Sequence, residues 1–117
     1  ELTDIQLGQL LLRISGYWGF STRILGTVES DIALLDAFCK EKVAQYKVAN
    51  SLKQTAADLL EAMAAVNDAE LADLRMRKTR RIAVQIRLSA AVKSYEIFYT
   101  ALSRELSRRT MSAKMIQ

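Results

Sequence analysis

The sequence has no histidine, no proline and a single cysteine, Cys39, in 117 residues. Within one chain these absences exclude a histidine- or cysteine-based catalytic triad and a metal cluster of such ligands. Neither GxxxxGK[ST] nor GxGxxG occurs, so the standard phosphate-cradling loops are missing as well. Acidic pairs such as Glu29 with Asp31, Asp36 with Glu41, and Glu70 with Asp73 are interpreted as a solvated helix face. We therefore predict a protein that is not an enzyme and that uses no cofactor and no metal.

The sequence also lacks a long apolar run. Its longest early uncharged stretches are residues 5–12 and 14–22, which Arg13 separates. Neither reaches the roughly 18 apolar residues of a membrane span. No basic segment precedes an apolar one as it does in a signal peptide. From the short apolar runs we expect no membrane association. Because a lone thiol fits a reducing compartment, we expect a cytoplasmic location.

Glycine is confined to the first quarter of the chain, and helix-forming residues dominate the remainder. Residues 3–6 form the T-x-x-Q pattern of a capping box, which predicts a helix start. From Leu7 onward, thirteen positions follow in alternating steps of four and three residues, and eleven of them are apolar. These positions are Leu7, Leu11, Ile14, Trp18, Ser21, Leu25, Val28, Ile32, Leu35, Cys39, Lys42, Tyr46 and Ala49.

The phase of this stripe does not slip across Gly16 and Gly19, which predicts one continuous helix rather than two helices with a turn. The alternative is a kink within residues 15–20, because each interior glycine costs about 1 kcal/mol relative to alanine. A parallel stripe contains only small residues and predicts that another helix approaches closely there. Its members are Ser15, Gly19, Thr22, Gly26, Ser30, Ala33 and Ala37.

The second half predicts a short helix followed by a long one. Residues 55–58 are suited to cap a brief helix that ends at Val66. We predict that residues 52–67 form a helical turn region that reverses the chain. Residues 67–70 then form a new cap for a last helix from about Asp68 to about Met115. We predict that its main stripe consists of Leu74, Arg77, Arg81, Val84, Leu88, Ala91, Tyr95, Phe98, Leu102 and Leu106, with Ile82, Ile86 and Ile97 on the opposite face.

Residues 1–117 are therefore expected to form a single all-α domain, a long antiparallel helical hairpin of coiled-coil-like helices with a short connecting helix. A hairpin cannot by itself bury helices that are apolar on two sides. We therefore expect the protein to form a homo-oligomer.

Charge is distributed unevenly along the chain. Residues 1–74 contain 6 basic and 11 acidic residues, a balance of −5, whereas residues 75–117 contain 11 basic and 2 acidic residues, a balance of +9. Two interpretations stay open at this point. The two halves attract each other across an antiparallel pair, or the basic half faces a polyanion.

Two basic segments are expected to meet at one end of such a hairpin. The candidate nucleic-acid-binding residues are Lys40, Lys42, Lys47, Lys53, Arg75, Arg77, Lys78, Arg80 and Arg81. The acids expected near them are too few to neutralise them all: Glu41, Glu61, Asp68, Glu70 and Asp73. Phosphates suit such a surface because binding releases counterions. Tyr46 and Tyr99 are candidates for stacking on unpaired bases, although a place in the core is the favoured interpretation for Tyr46.

Some of these segments resemble phage recombination mediators of the UvsY type. The similar pieces are residues 42–44 (Lys-Val-Ala) with the nearby Lys47, and the C-terminal stretches 101–102, 107–108 and 114–116. The polar, glycine-bearing insertion expected between the helices of such proteins is missing here. The resemblance implies a small helical protein that oligomerises, binds single-stranded DNA and helps to load a RecA-like recombinase in place of single-strand-binding protein.

Two functions follow from these observations. The first is a non-enzymatic, oligomeric single-stranded-DNA-binding accessory protein, a recombination mediator whose partners are itself, single-stranded DNA, a RecA-like recombinase and single-strand-binding protein. The alternative is a structural or assembly coiled-coil protein, such as a phage scaffold, tail-assembly factor or adaptor, with no role on nucleic acid. The apolar faces alone suffice for the second.

Overall fold

A computed structural model describes the backbone of residues 1–50 and 57–116 and the side chains of residues 1–50 and 59–115. These residues form three α-helices: α1 (Asp4–Ala49), α2 (Ala57–Asn67) and α3 (Ala69–Ile116). The prediction of an all-α fold with two long helices and a short helix between them is confirmed. The side chains of the predicted cap over residues 55–58, and Lys53 with its predicted nucleic-acid contact, lie outside the described residues. None of the helices in the described part of the chain combines the length and the apolar character that crossing a membrane requires.

Helix α1 begins where its capping box predicts. The amide of Gln6 donates to Thr3 Oγ1 (3.2 Å), and the amide of Thr3 donates to Gln6 Oε1 (2.9 Å). The two exchanged hydrogen bonds satisfy main-chain donors that a helix start otherwise leaves without partners. The helix then continues through Gly16 and Gly19 to Ala49, so the prediction of an unbroken helix is confirmed.

The chain divides into two compact units, each with segments of α1 and α3. Unit 1 contains Glu1–Gly26 and the chain from Ile86 onward, and unit 2 contains Thr27–Gln85. In unit 1, Tyr17 stacks on Tyr95 with 6.2 Å between ring centroids, and Trp18 lies 5.5 Å from Tyr99. Since α1 advances from Asp4 to Trp18 while its partners on α3 go back from Arg109 to Tyr95 and Tyr99, the two segments are antiparallel.

In unit 2 the core lies where α2 meets both long helices. Cys39 of α1, Ala64 of α2 and Leu71 of α3 form one buried cluster, and Val43, Tyr46 and Leu74 pack against it. Tyr46 therefore belongs to the core, as favoured from the sequence, and its hydroxyl is 3.4 Å from the Asn67 side-chain amide. Asp36 with Lys78 and Lys42 with Glu70 pair the two long helices in antiparallel order within this unit.

The stripe predicted for α1 faces inward along its length. Leu7, Val28 and Cys39 are buried, and the other members through Tyr46 are half-buried, whereas Ala49 is exposed. The stripe of small residues, from Ser15 to Ala37, is exposed throughout. Contact of another helix with that stripe stays a prediction.

The face that α3 buries differs from the predicted one, mainly in the first half of the helix. Leu88, Ala91, Tyr95, Leu102 and Leu106 are half-buried as predicted. Val84 and Phe98 are 40% and 59% exposed, and the arginines at 77 and 81 are exposed too. Residues at 71, 78, 82 and 85 face inward instead, so the prediction that Ile82 lies on the opposite face with Ile86 and Ile97 is wrong for Ile82.

This difference involves Lys78, because a lysine side chain has both an apolar stem and a charged end. The predicted stripe placed Arg77 and Arg81 on the contact line, whereas Lys78 takes this position: its side chain, 31% exposed, packs its aliphatic stem and directs its ammonium group to Asp36. Ile82 then follows Lys78 one helical turn later on the same side. In the first half of α3 the contact line is therefore Leu71, Leu74, Lys78, Ile82, Gln85 and Leu88.

Candidate nucleic-acid interface

The two basic segments predicted from the sequence line a common groove in unit 2. Lys40 and Lys47 come from α1, two helical turns apart and therefore on one side of that helix. Arg75 and Lys78 come from α3, one turn apart. We call this the cationic groove; it has a volume of about 450 Å³, and its lining is completed by Asp36, Cys39, Val43, Ala44 and Glu61.

The remaining candidate arginines lie around a different groove of the same unit. Arg77, Arg80 and Arg81 line a groove of about 600 Å³ together with Asp31, Leu34, Leu35 and Val84. The structure therefore divides the single cluster expected from the sequence into two groups. We call the second group the arginine groove.

Most of the candidate cations are bound by carboxylates of the same chain. The two oxygens of Asp36 bind Lys78 Nζ (2.6 Å) and Lys40 Nζ (2.9 Å). Lys42 forms an ion pair with Glu70. It lines neither of the two grooves.

The arginine groove shows the same kind of pairing. Arg77 Nε lies 3.0 Å from Asp73 Oδ2, whereas Arg81 Nε lies 4.0 Å from Asp31 Oδ2, at the limit of an ion pair. Within the described part of the chain, Arg80 donates only to the sulfur of Met76, at 3.4 Å. Of the ion pairs described in unit 2, Asp36–Lys78 and Asp31–Arg81 join the acidic half of the chain to the basic half across the two long helices. The interpretation that the two halves attract each other therefore describes part of unit 2.

Three of the candidate cations have no carboxylate partner among the described residues: Lys47, Arg75 and Arg80. Lys47 and Arg75 are half-buried in the wall of the cationic groove, and Arg80 is exposed in the arginine groove. An unpaired cation binds a phosphate without first giving up an internal partner. These three residues are therefore the strongest anion-binding candidates of the eight that the structure describes.

The pairing around Asp36 perturbs the acid and one of its partners. Hydrogen bonds from Lys78 and then Lys40 lower the pKa of Asp36 from 3.8 to about 2. The hydrogen bond to Asp36 raises the pKa of Lys40, and that to Glu70 raises the pKa of Lys42. Asp36, Lys40 and Lys42 are therefore charged at neutral pH.

The acids that matter most were missed from the sequence. Asp31 and Asp36, which the sequence alone indicates as part of a solvated face of α1, reach across to α3. An antiparallel register that places Lys42 opposite Glu70 also places residues 31–36 opposite 78–81. The signal was thus present, but it depends on the register of the two helices, which is seen in the packing of Cys39, Ala64 and Leu71.

Net charge does not single out this unit. Residues 27–85 contain nine basic and nine acidic residues, so the whole net charge of +4 arises from unit 1, which has eight basic and four acidic residues. In unit 1, Arg108 and Arg109 are held by Glu105, and Tyr99 is occupied by Trp18. Lys93 and Arg104 are exposed and have no carboxylate partner among the described residues, so they form a competing cationic surface that the sequence did not distinguish.

Comparison of the chain with protein-family models, with curated proteins and with solved structures gave no match. The case for a function consequently depends on the arrangement of charged and apolar side chains described above.

Proposed function

We propose that the protein is a non-enzymatic, oligomeric accessory protein that binds single-stranded DNA. The observation that supports this best is the cationic groove, where Lys40 and Lys47 of α1 and Arg75 and Lys78 of α3 come together. Two of these four cations have no carboxylate partner among the described residues. A groove with several cations from two helices suits a chain of phosphates, because each neutralised phosphate releases a counterion.

Salt dependence of binding provides the direct test. Lys47→Gln combined with Arg75→Gln removes the unpaired cations and should lower the slope of log K against log salt by roughly 1.4, since each phosphate contact on a single strand contributes roughly 0.7. The measurement is fluorescence anisotropy of a labelled oligonucleotide at 50 and 200 mM salt. Sedimentation and circular dichroism should show unchanged assembly and helicity.

A matched control removes the same number and type of charged side chains from the same two segments. Lys42→Gln combined with Arg77→Gln also deletes one lysine of α1 and one arginine of α3, but both are ion-paired, to Glu70 and Asp73. This variant should keep most of the affinity. Equal losses in the two double variants would show a general charge effect and no special role for the groove.

Two further results would count against the proposal. If wild-type protein does not bind the oligonucleotide even at 50 mM salt, the nucleic-acid function is wrong. If Lys93→Gln with Arg104→Gln abolishes binding while Lys47→Gln with Arg75→Gln does not, the DNA-binding surface belongs to unit 1.

The finer proposal, that the protein helps a RecA-like recombinase to replace single-strand-binding protein, rests on the resemblance of residues 42–44, 47 and the C-terminal stretches to UvsY-type mediators. Its test is recombinase ATP hydrolysis on single-stranded DNA that single-strand-binding protein already covers. Addition of the chain should restore hydrolysis, and the Lys47 and Arg75 double variant should not. Stimulation that is equal on bare and covered DNA would contradict a mediator role.

A second candidate function is assembly without nucleic acid, and the apolar surface favours it. Among the described residues six hydrophobic side chains are buried, while eighteen large ones are at least 36% exposed. In α1, Tyr17, Phe20 and Ile24 follow at steps of three and four and so share one face. Apolar surface on this scale is typical of an interaction site.

Charged substitutions at exposed and at buried apolar residues should affect self-association and folding differently. Phe20→Glu should dissociate a homo-oligomer and leave helicity intact, because Phe20 is 56% exposed in the single chain. Val28→Asp should also unfold the chain, because Val28 is only 5% exposed and a buried unpaired charge costs several kcal/mol. Sedimentation equilibrium at micromolar concentration is the measurement. A stable folded monomer of wild-type protein would refute oligomerisation in both candidate functions.

A further inference from the structure

Asp36 occupies a bridging position in the wall of the cationic groove. One carboxylate oxygen binds Lys78 of α3 at 2.6 Å, and the other binds Lys40 of α1 at 2.9 Å. Its side chain is 35% exposed, so the bridge is reachable by solvent and by a ligand in the groove. A single internal anion therefore serves half of the four cations that line the groove.

The other carboxylate in this groove behaves differently. Glu61 of α2 is exposed and forms no ion pair with the described residues. Glu61 contributes negative potential without holding any particular cation in place. The groove thus contains one bridging acid and one non-bridging acid of equal charge.

From this difference we propose that Asp36 is an autoinhibitory internal counterion, which withholds Lys40 and Lys78 from a bound polyanion and so limits the strength of its binding. The inference deepens the proposed single-stranded-DNA function and rests on it. A phosphate that contacts Lys47 or Arg75 displaces no internal partner, whereas one that contacts Lys40 or Lys78 must compete with Asp36. Exposed ion pairs are weak enough to be displaced, but each displacement subtracts from the gain of the phosphate contact.

The first test neutralises each acid with its isosteric amide. Asp36→Asn should make two more cations available and steepen the salt slope of oligonucleotide binding by up to roughly 1.4. Between 50 and 200 mM salt the variant should then lose about sevenfold more affinity than wild type, from a higher starting affinity. Glu61→Gln removes the same charge from the same groove and should raise affinity with little change of slope.

A second test leaves Asp36 in place, so it is independent of how the chain tolerates that substitution. Lys40→Gln and Lys47→Gln remove one lysine each from the same side of α1, the first paired and the second unpaired. Lys47→Gln should lower the salt slope by roughly 0.7, and Lys40→Gln by clearly less. A third test substitutes Asp36 together with its two partners: in the triple variant Asp36→Asn, Lys40→Gln, Lys78→Gln, the gain of Asp36→Asn should disappear.

Each outcome separates this inference from the proposed function. If wild type binds and Asp36→Asn changes the slope no more than Glu61→Gln, the counterion role is overturned and DNA binding stands. Equal losses in Lys40→Gln and Lys47→Gln would overturn it likewise. If only Asp36→Asn binds, the counterion role is supported and the proposed function of the wild-type chain is refuted. If neither binds at 50 mM salt, both are refuted.

Discussion

Arg109, near the end of α3, donates a hydrogen bond from Nη1 to the main-chain carbonyl of Leu2, with 2.6 Å between the two atoms. The same nitrogen is 3.2 Å from Asp4 Oδ1, and Nε donates to Glu105 Oε1 at 3.0 Å. One guanidinium thus connects the residues that precede α1, its first turn and the last turns of α3. Because arginine offers several donors in a rigid plane, this contact fixes the antiparallel register within unit 1.

The carboxylate at the centre of this contact predicts an acid-dependent loss of stability. Hydrogen bonds from Arg108 and Arg109 lower the pKa of Glu105 from 4.5 to about 2. A carboxylate with a lowered folded-state pKa contributes stability in full above pH 4.5, and the contribution disappears as the pH falls towards 2. Glu105→Gln should therefore lower the Tm at pH 6 and flatten the decrease of Tm between pH 4.5 and 2, measured by circular dichroism. Glu96→Gln, in the same helix but without an ion pair among the described residues, should keep the wild-type pH profile, and identical profiles for both variants would contradict the prediction.

The start of α3 depends on a single side chain. Asp68 Oδ1 accepts hydrogen bonds from the amides of Glu70 (3.0 Å) and Leu71 (3.2 Å), as its predicted role of helix cap requires. Asp68→Ala should lower the free energy of unfolding by about 1 kcal/mol, whereas Asp68→Asn keeps an acceptor and should change it little. Urea unfolding followed by circular dichroism measures both. If the two variants are equally destabilised, charge near the helix start matters and the cap hydrogen bonds do not.

The core cluster of unit 2 predicts that truncating the Leu71 side chain strongly lowers the free energy of unfolding. Leu71 is fully buried against Cys39 and Ala64, so Leu71→Ala should lower the free energy of unfolding by about 2–5 kcal/mol. Val66→Ala, in α2 at a position that is 83% exposed, should change it by less than about 0.5 kcal/mol. Urea unfolding distinguishes the two. A loss below about 1 kcal/mol for Leu71→Ala would mean that the interior of unit 2 is not organised around this cluster.

Sequence reasoning predicts the helices of this protein well because their signals are local. The capping box at Thr3, the cap at Asp68 and the apolar spacing from Leu7 to Tyr46 each depend on residues within two turns of one another. The face of α3 was predicted less well. There the choice between Arg81 and Ile82 depends on which partner α1 presents, and Asp36 decides it by binding Lys78.

The candidate site was predicted only as a set of charges. The sequence indicates that residues 40–47 and 75–81 are close, and four of these cations do share a groove. It does not indicate which cations are free, because that depends on the reach of Asp31 and Asp36 across the helix pair. The difference matters for function, since an ion-paired lysine and an unpaired one contribute differently to binding a phosphate.

Gly19 provides a test of how α1 is used, because the residue lies in a helix interior where glycine is normally unfavourable. Its backbone is not left-handed, and no described atom outside its own helix backbone and chain neighbours lies within 4 Å of the position of an added Cβ. Gly19→Ala should therefore raise the free energy of unfolding by about 0.4–1 kcal/mol, since alanine restricts the unfolded chain at no cost in the folded one. Gly26→Ala, in the same stripe of small residues and equally open, should act alike, and thermal unfolding at low protein concentration measures both.

Repeating the melts at high concentration examines the assembly. If a helix of another copy packs on this stripe, the stabilisation should turn into a loss as the protein associates, whereas a constant gain would show that the small residues stay uncovered.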